Sequence, residues 1–201
     1  SKIRAASQIM ANLPYVKGVR IGIKLPDTVN IMIEEESVVY AIKSSDGQWW
    51  MMDSDGRVVE QANNAKAATA TQVLGVTLEA PTVNEKGVAT EMTPSETNEL
   101  GELIPVTTTG AQRLTAALQI LKALENNDIV GEAASVDVTS TEDIILWYGT
   151  RYQVNLGDTS RLDYKVDCMN DAILQMSDYQ SGVLDISFTI WPNQVGYTPF
   201  A

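Results

Sequence analysis

Two runs of alternating apolar and polar residues, separated by the turn sequence LPDT, constrain the fold most strongly. The apolar members of the two runs occupy every second position: Val19, Ile21, Ile23, Val29, Ile31 and Ile33. Alternation of this kind places the apolar side chains on one face of an extended chain. Proline and aspartate in the intervening turn reverse the chain direction. The sequence therefore predicts a β-hairpin.

A short amphipathic helix is predicted immediately before this hairpin. Apolar residues recur there at steps of three and four and end before Pro14: Ile3, Ala6, Met10 and Leu13. That spacing places them on one side of a helix. We expect the hairpin to pack on this helix, so that residues 1–45 form a compact unit of helix, strand, turn and strand.

The stretch MMDSDGRVVE, residues 51–60, allows two interpretations, a calcium-binding loop or a turn between two strands. A calcium loop of the EF-hand type needs oxygen ligands at its first, third and fifth positions, glycine at the sixth and glutamate at the twelfth. Starting at Asp53 places Arg57 at the fifth position, and counting back from Gly56 places Met51 at the first. Neither register supplies the ligands. Serine, aspartate and glycine favour turns, so the stretch predicts a second hairpin.

The rest of the chain predicts further strands and two helices. The sequence TTTGAQRLTAALQILKALENN has an apolar helical face and either Thr108 or Thr109 as its N-cap. ASVDV, DIILWYG and RYQVNLG follow as three short strands, expected to form an antiparallel meander. GDTSRLDYKVDCMNDAILQMSDY predicts the second helix, capped by Asp158, Thr159 or Ser160.

The strand GVLDISFTIW is expected to close the fold, followed by a tail rich in proline and glycine, residues 192–201. Residues 62–71 are expected to form a loop or a weak helix, and residues 82–105 a long exposed loop. The fold class is therefore α+β. Residues 46–191 form a mainly antiparallel β-sheet domain with two packed helices.

The composition argues against several functional classes. There are 14 basic and 26 acidic residues, a net charge of −12, which repels nucleic acid and anionic lipid headgroups. The sequence contains no histidine, the commonest general base and a frequent zinc ligand. Its single cysteine, Cys168, lies in the second predicted helix and is expected to be a small buried hydrophobe. Glu34, Glu35 and Glu36 are expected to form a solvated strand end, because successive strand residues point to opposite faces.

No sequence motif for nucleophilic catalysis, phosphate binding or metal binding is present either. We therefore predict a non-enzymatic interaction module without a cofactor or metal. No apolar run approaches the ~20 residues of a membrane-spanning helix. The chain starts SKIRAAS without methionine, in what reads as a helix. We expect it to be a fragment whose membrane anchor lies upstream.

Several stretches, in order, resemble the extracytoplasmic part of the bacterial cell-division family FtsQ/DivIB. LPYVKGVRIGIKLPDTVNIMIEEESVVYAI is similar to the second half of that family's POTRA domain, and WWMMDSDGRVVE to the strand and turn that begin its β domain. DIILWYGTRYQVNLGD, LDYKVDCMNDAILQ and GVLDISF resemble the strand, helix and late strand that follow. Residues 1–45 then correspond to a truncated POTRA-like unit, without its first strand and helix.

The resemblance implies a divisome scaffold, the extracytoplasmic part of a single-span cell-membrane protein that binds partners of the FtsL and FtsB/DivIC type during septum formation. It places the partner contact around the last strand, where a partner segment can add to a sheet edge by β-augmentation. The predicted partner-binding residues are Val183, Leu184, Asp185, Ile186, Ser187, Phe188 and Trp191. The alternative for Leu184, Ile186 and Phe188 is that they pack as core. The alternative function is a POTRA-containing module of another surface assembly or export system.

Overall fold

The computed structural model describes residues 2–35, 38–93, 100–103 and 107–201. The helices are α1 (Lys2–Asn12), α2 (Asn64–Ala67), α3 (Gly110–Asn126) and α4 (Leu162–Gln175). The strands are β1 (Val16–Lys24), β2 (Thr28–Glu35), β3 (Tyr40–Ser44), β4 (Trp49–Met52), β5 (Val58–Ala62), β6 (Gln72–Leu78), β7 (Ala133–Asp137), β8 (Ile144–Tyr148), β9 (Tyr152–Gly157), β10 (Gly182–Asp185) and β11 (Gly196–Pro199). They form one two-stranded and one nine-stranded sheet. The predicted α+β class is confirmed.

The first unit contains α1 and the β1–β2 hairpin, as the alternating pattern predicts. Its two strands pair antiparallel, so that Ile21 lies opposite Ile31 and Ile23 opposite Val29. The helix forms as expected, but none of its residues is buried, and every residue of β2 is exposed. The apolar side chains that predicted both elements therefore remain largely in contact with solvent, and Glu36 lies outside the described residues.

The nine-stranded sheet has the order β11-β10-β9-β8-β7-β6-β3-β4-β5. Its pairings are mixed, because β10–β9, β6–β7 and β3–β6 are parallel and the remaining five are antiparallel. The predicted meander of β7, β8 and β9 is confirmed. The strand β3 belongs to this larger sheet, although it precedes residue 46. We propose that the boundary between the two units lies between the end of β2 and the start of β3.

The second predicted hairpin is confirmed, and its turn is built around Asp53. One carboxylate oxygen of Asp53 accepts hydrogen bonds from the backbone N–H of Asp55, at 3.0 Å, and of Arg57, at 2.9 Å. The other oxygen lies 3.2 Å from Nε of Arg57. Gly56 has φ of 83°, the left-handed conformation that a turn glycine adopts at little cost. These bonds satisfy a nearly buried carboxylate and close the turn between β4 and β5.

The helices α3 and α4 cover one face of the large sheet and form its main hydrophobic core. Of the two predicted N-caps of α3, Thr109 is confirmed: its Oγ1 accepts from the Gln112 N–H, and the Gln112 side chain accepts from the Thr109 N–H. This reciprocal pair is a capping box. At the other end of α3, Glu125 accepts a 2.6 Å hydrogen bond from the Tyr40 hydroxyl. This hydrogen bond links the end of α3 to β3, in addition to the apolar packing of α3 on the sheet.

The helix α4 forms where predicted, and its inner residues Val166, Met169 and Ile173 are buried. Its predicted cap is wrong. The N-cap position belongs to Arg161, which has φ of 54° and makes no side-chain capping bond. Asp158 and Ser160 instead form a tight turn before the helix. Cys168 is half-buried on this helix rather than fully buried.

The segment predicted as a long loop, residues 82–105, is described only in part, because residues 94–99 and 104–105 lie outside the described residues. Residues 84–87 run along β5: the Val58 N–H donates to the Glu85 carbonyl at 2.8 Å, and the Asn84 N–H donates to the Val58 carbonyl at 2.8 Å. This segment therefore covers part of one edge of the large sheet. Before β6, residues 64–67 form the short helix α2, one of the two alternatives considered for residues 62–71.

Candidate partner-binding edge

The residues predicted to bind a partner surround β10, which lies inside the sheet and not at its edge. Gly182–Asp185 pairs with β9 on one side and with β11 on the other. The strand ends at Asp185, so the expected strand GVLDISFTIW is too long, and the expectation that it closes the fold is wrong. The reason is the segment after it, which returns as β11 within the predicted tail. The role of these residues in partner binding stays a prediction.

The side chains of β10 alternate between the core and the opposite face of the sheet. Leu184 and Ile186 are fully buried in the main core, as the alternative interpretation of these residues expected. Val183 and Asp185 point the other way and are half-buried. Val183 and Asp185 therefore carry the accessible side chains of β10, whereas Leu184 and Ile186 hold the strand on the core.

A sharp turn follows β10. Asp185 Oδ1 accepts from the Ser187 N–H at 2.9 Å and from the Ser187 hydroxyl at 2.7 Å. Phe188 adopts φ of 60°, which a bulky residue takes up only where the surroundings hold it. The backbone of Gly157 approaches Ser187 so closely that an added Cβ would lie 2.8 Å from the Ser187 Cβ. This turn redirects the chain away from the strand.

Phe188 is held in place by the start of α4. Its ring centroid lies 5.7 Å from that of Tyr164, and the guanidinium of Arg161 lies 5.5 Å from the Phe188 ring and 4.4 Å from the Tyr164 ring. Arg161 also donates a 2.8 Å hydrogen bond to the side chain of Asn193. Phe188 is half-buried in this cluster, so it both supports the loop and remains partly accessible.

The loop of residues 186–195 presents two exposed apolar side chains. Ile190 is 64% exposed and Trp191 is 48% exposed. The indole of Trp191 covers Gly196, where a Cβ would lie 2.5 Å from Cζ3 of the ring. Residues 186–201 carry no charged side chain, although a fifth of the whole chain is charged. We call residues 186–201 the uncharged C-terminal stretch. It contrasts with the remainder of the chain, which is acidic, and it is suited to contact with an apolar partner.

The strand β11 is the part of this site that the sequence did not predict. It pairs antiparallel with β10, so that Val183 lies opposite Thr198 and Leu184 opposite Tyr197. The Tyr197 hydroxyl donates to the Ser181 carbonyl at 3.2 Å. Proline at 199 and glycine at 196 concealed the strand, because both residues are typical of tails and turns. The residues Tyr197, Thr198 and Phe200, which favour strands, were the available signal.

The turn that leads from β9 into α4 carries a strongly acidic carboxyl group. The hydrogen bond from the Ser160 hydroxyl, followed by that from the ammonium of Lys165, lowers the pKa of Asp158 from 3.8 to about 2. Lys165 is 1% exposed and donates to the carbonyls of Leu156, at 2.8 Å, and of Asp158, at 2.9 Å, as well as to the Asp158 carboxylate, at 2.9 Å. All three of its protons have acceptors. This arrangement is structural, and it fixes the start of α4.

Among the described residues, acidic, histidine and cysteine side chains form no group suited to a metal ion. The helices in the described part of the chain are too short or too polar to cross a membrane.

No protein-family model matches the sequence. The chain is 25% identical over 185 residues to a protein named cell division protein DivIB from Clostridium tetani, an alignment that covers 90% of this chain. The chain is a homologue of DivIB. A second cell division protein DivIB, from Clostridium acetobutylicum, is 34% identical over 65 residues, or 32% of this chain. The two alignments span 62% and 26% of the relatives' own lengths. They confirm the FtsQ/DivIB resemblance, whereas the assignment of a POTRA domain stays a prediction.

Proposed function

We propose that this DivIB homologue is the extracytoplasmic part of a single-span membrane protein that acts as a non-enzymatic divisome scaffold. In this proposal it binds partners of the FtsL and FtsB/DivIC type during septum formation. The observation that carries the proposal is the match to a DivIB cell-division protein over 90% of the chain. Because the alignment covers 90% of the chain, it includes residues of both units of the fold and is not limited to one motif.

The proposed partner site consists of β10, β11 and the loop between them. A scaffold needs a surface that recognises another protein, and three features here support one. The loop exposes Ile190 and Trp191, and tryptophan is among the residues that contribute most to protein interfaces. The strand β11 ends the sheet, and terminal strands accept partner segments through their backbone. The uncharged C-terminal stretch avoids the cost of removing charges from water.

The proposal includes no catalytic step. The sequence lacks histidine, and it contains none of the nucleophile, phosphate-loop or metal-protease motifs. Two charged groups that could suggest chemistry are bonded to each other, because Lys165 donates to the Asp158 carboxylate as well as to the Asp158 backbone carbonyl. Both side chains therefore stabilise the fold.

Calorimetric titration tests the proposal. The extracytoplasmic segments of the FtsL and FtsB/DivIC homologues from the same organism are titrated, separately and together, into the chain. We expect saturable binding that Trp191→Ala weakens by about 2 kcal/mol, the magnitude of an interface hot spot. Leu174→Ala is the matched control, because Leu174 lies on the outer side of α4 and is 75% exposed. This variant should bind as the wild type does. No binding, together with normal septation of a strain lacking the gene, would contradict the scaffold role.

A further inference from the structure

The connection between α1 and β1, residues 13–15, lies against the turn between β4 and β5. Arg57 closes that turn with Asp53, and its Nη1 donates to the Pro14 carbonyl at 2.7 Å. The same nitrogen donates to Oδ1 of Asn84 at 3.1 Å. A cation is favourable near the C-terminal end of a helix, because the helix dipole is negative there. The turn therefore contacts the first unit as well as joining two strands of the second unit, which contains the nine-stranded sheet.

Asn84 makes a further bond to the first unit. Its Nδ2 donates to the Ala11 carbonyl at 3.0 Å. Ala11 lies in the last turn of α1, where carbonyl groups have no partner within the helix. Asn84 has φ of 69°, a left-handed conformation that asparagine adopts more readily than most residues, and its N–H donates to the Val58 carbonyl. Its backbone is thus fixed on β5, and its side chain bonds to the end of the helix.

Tyr15 adds an apolar contact between the units. Its half-buried ring packs against a hydrophobic cluster of the second unit that is separate from the main core: Ala41, Met51, Val59 and Ala67. The Tyr15 hydroxyl donates to Oε1 of Glu60 at 2.6 Å. Lys66 forms an ion pair with the same carboxylate, and its Nζ lies 5.4 Å from the centroid of the Tyr15 ring. Both the ring and the hydroxyl of Tyr15 are therefore held by the second unit.

These contacts give the first unit a second attachment besides its covalent linker. The linker leads from β2 to β3, whereas the contacts involve residues 11–15, before β1. Val16 lies opposite Glu35 in the hairpin, so the two attachments lie at the same end of the hairpin, one on each strand. Domains joined by a linker alone generally move relative to each other. A second attachment on the neighbouring strand opposes that motion.

We propose that four side chains form a clasp that holds the two units in one orientation: Tyr15, Arg57, Glu60 and Asn84. With the clasp closed, the protein moves as one rigid body. The nine-stranded sheet ends at β5 on one side and at β11 on the other. Because the clasp lies at β5, it fixes the direction in which the β11 edge faces relative to α1. The clasp goes beyond the proposed function and does not depend on it.

Nitrogen-15 relaxation measured by NMR on the chain alone tests the clasp. The method reports the rotational motion of each unit from its own backbone amides. A rigid body has one rotational diffusion tensor, so a single tensor should fit the amides of β1, β2 and the nine-stranded sheet together. A separate and faster tensor for β1 and β2 in the wild type would show that the units move independently and would overturn the proposal.

Tyr15→Ala combined with Asn84→Gly opens the clasp. Glycine keeps the left-handed backbone at residue 84 but removes the bonds to Arg57 and Ala11. We expect the correlation time of the first unit to fall at least ~1.5-fold below that of the second unit. Asn193→Gly is the matched control, because Asn193 also has a positive φ, of 57°, but lies in the loop before β11. This control should keep the single tensor.

Two outcomes of the variant measurements contradict the clasp. If the double variant keeps a single tensor, the covalent linker alone sets the orientation and the clasp is wrong. The single variant Asn84→Gly covers the case in which loss of Tyr15 unfolds the first unit, and the amide signals of Ile21 and Ile31 show whether the hairpin is intact. With the hairpin intact, a single tensor for Asn84→Gly would overturn the role of Asn84. No divisome partner is present in these measurements, so the clasp and the proposed function fail separately.

Discussion

The ring of Phe200 stacks on that of Trp147, with the centroids 6.1 Å apart and the planes inclined by 26°. Trp147 belongs to β8, so the penultimate residue of the chain is fixed on a strand well inside the sheet. Phe200 stays 42% exposed, and its backbone N–H is bonded to Ser181. The C-terminal residues, which the sequence indicates to be a tail, are thus part of the folded domain.

Removal of that contact should destabilise the domain modestly. Phe200→Ala loses an aromatic pair and part of the apolar burial, and we expect the free energy of unfolding to fall by about 1 kcal/mol. Urea denaturation monitored by tryptophan fluorescence measures it, since Trp147 reports directly on the contact. Leu174→Ala removes an apolar side chain that is 75% exposed and should change stability by less than about 0.5 kcal/mol. Equal effects of the two substitutions would show that the stacking contributes nothing.

Lys165 should be among the most sensitive positions of the second unit. Lys165→Met keeps the aliphatic length but leaves the carbonyls of Leu156 and Asp158 without their donor, at a cost of about 2–3 kcal/mol. Lys122→Met is the matched control, because Lys122 forms an exposed 2.6 Å ion pair with Asp55, so its substitution should cost much less stability than that of Lys165. Thermal and urea unfolding compare the two variants. A loss at Lys122 as large as that at Lys165 would contradict the role of burial.

The carboxylate of Asp158 should contribute to the pH dependence of stability. Its pKa in the folded chain, about 2, lies below the ordinary value of 3.8, so its contribution is complete above pH 3.8 and is lost as the pH falls toward 2. Because the side chain is 57% exposed, we expect about 1 kcal/mol after allowance for screening by solvent.

Two measurements check this expectation. The stability difference between the wild type and Asp158→Asn should shrink as the pH falls from 4 to 2, and NMR titration should give the low pKa directly. An ordinary pKa for Asp158, or a difference that does not change with pH, would contradict the assignment.

Two glycines with nearly the same backbone conformation should respond differently to alanine. Gly75 and Gly47 have φ of 83° and 84°, so both substitutions carry the cost of a left-handed residue, about 1 kcal/mol. A Cβ on Gly75 would lie 2.3 Å from the backbone nitrogen of Thr139, whereas nothing lies within 4 Å of the same position on Gly47.

Gly75→Ala should therefore be destabilised by at least about 2 kcal/mol more than Gly47→Ala, because the backbone near Thr139 must move. Urea denaturation of the two variants gives the difference. If both lose the same stability, the close approach between β6 and the segment after β7 is wrong.

Local sequence patterns correctly predicted the helices and strands whose formation depends on neighbouring residues. The alternation around Ile21 and Ile31 predicted the first hairpin, and the TTTG sequence predicted a capped helix, because these preferences act over a few neighbouring residues. The turn at Asp53 was also predictable, since the ligand spacing of a calcium loop is strict.

The sequence-based predictions were wrong where contacts between residues far apart in the sequence determine the structure. Arg161 takes the cap position of α4 in a left-handed conformation, and its side chain bonds to Asn193, 32 residues later in the chain. The strand β11 depends on pairing with β10, and Pro199 reduces its local strand preference. No local pattern shows that β3 joins the larger sheet, because that depends on its pairing with β6, some thirty residues later.

Chemical-shift mapping tests the central claim most directly. A labelled sample of the chain is titrated with the extracytoplasmic segment of the FtsB/DivIC homologue from the same organism. The account predicts saturable shifts in residues 182–191 and 196–200, with the α1–β1–β2 unit unchanged. The absence of saturable shifts, or shifts confined to that first unit, would contradict the claim that this DivIB homologue recognises its partner through β10, β11 and the loop between them.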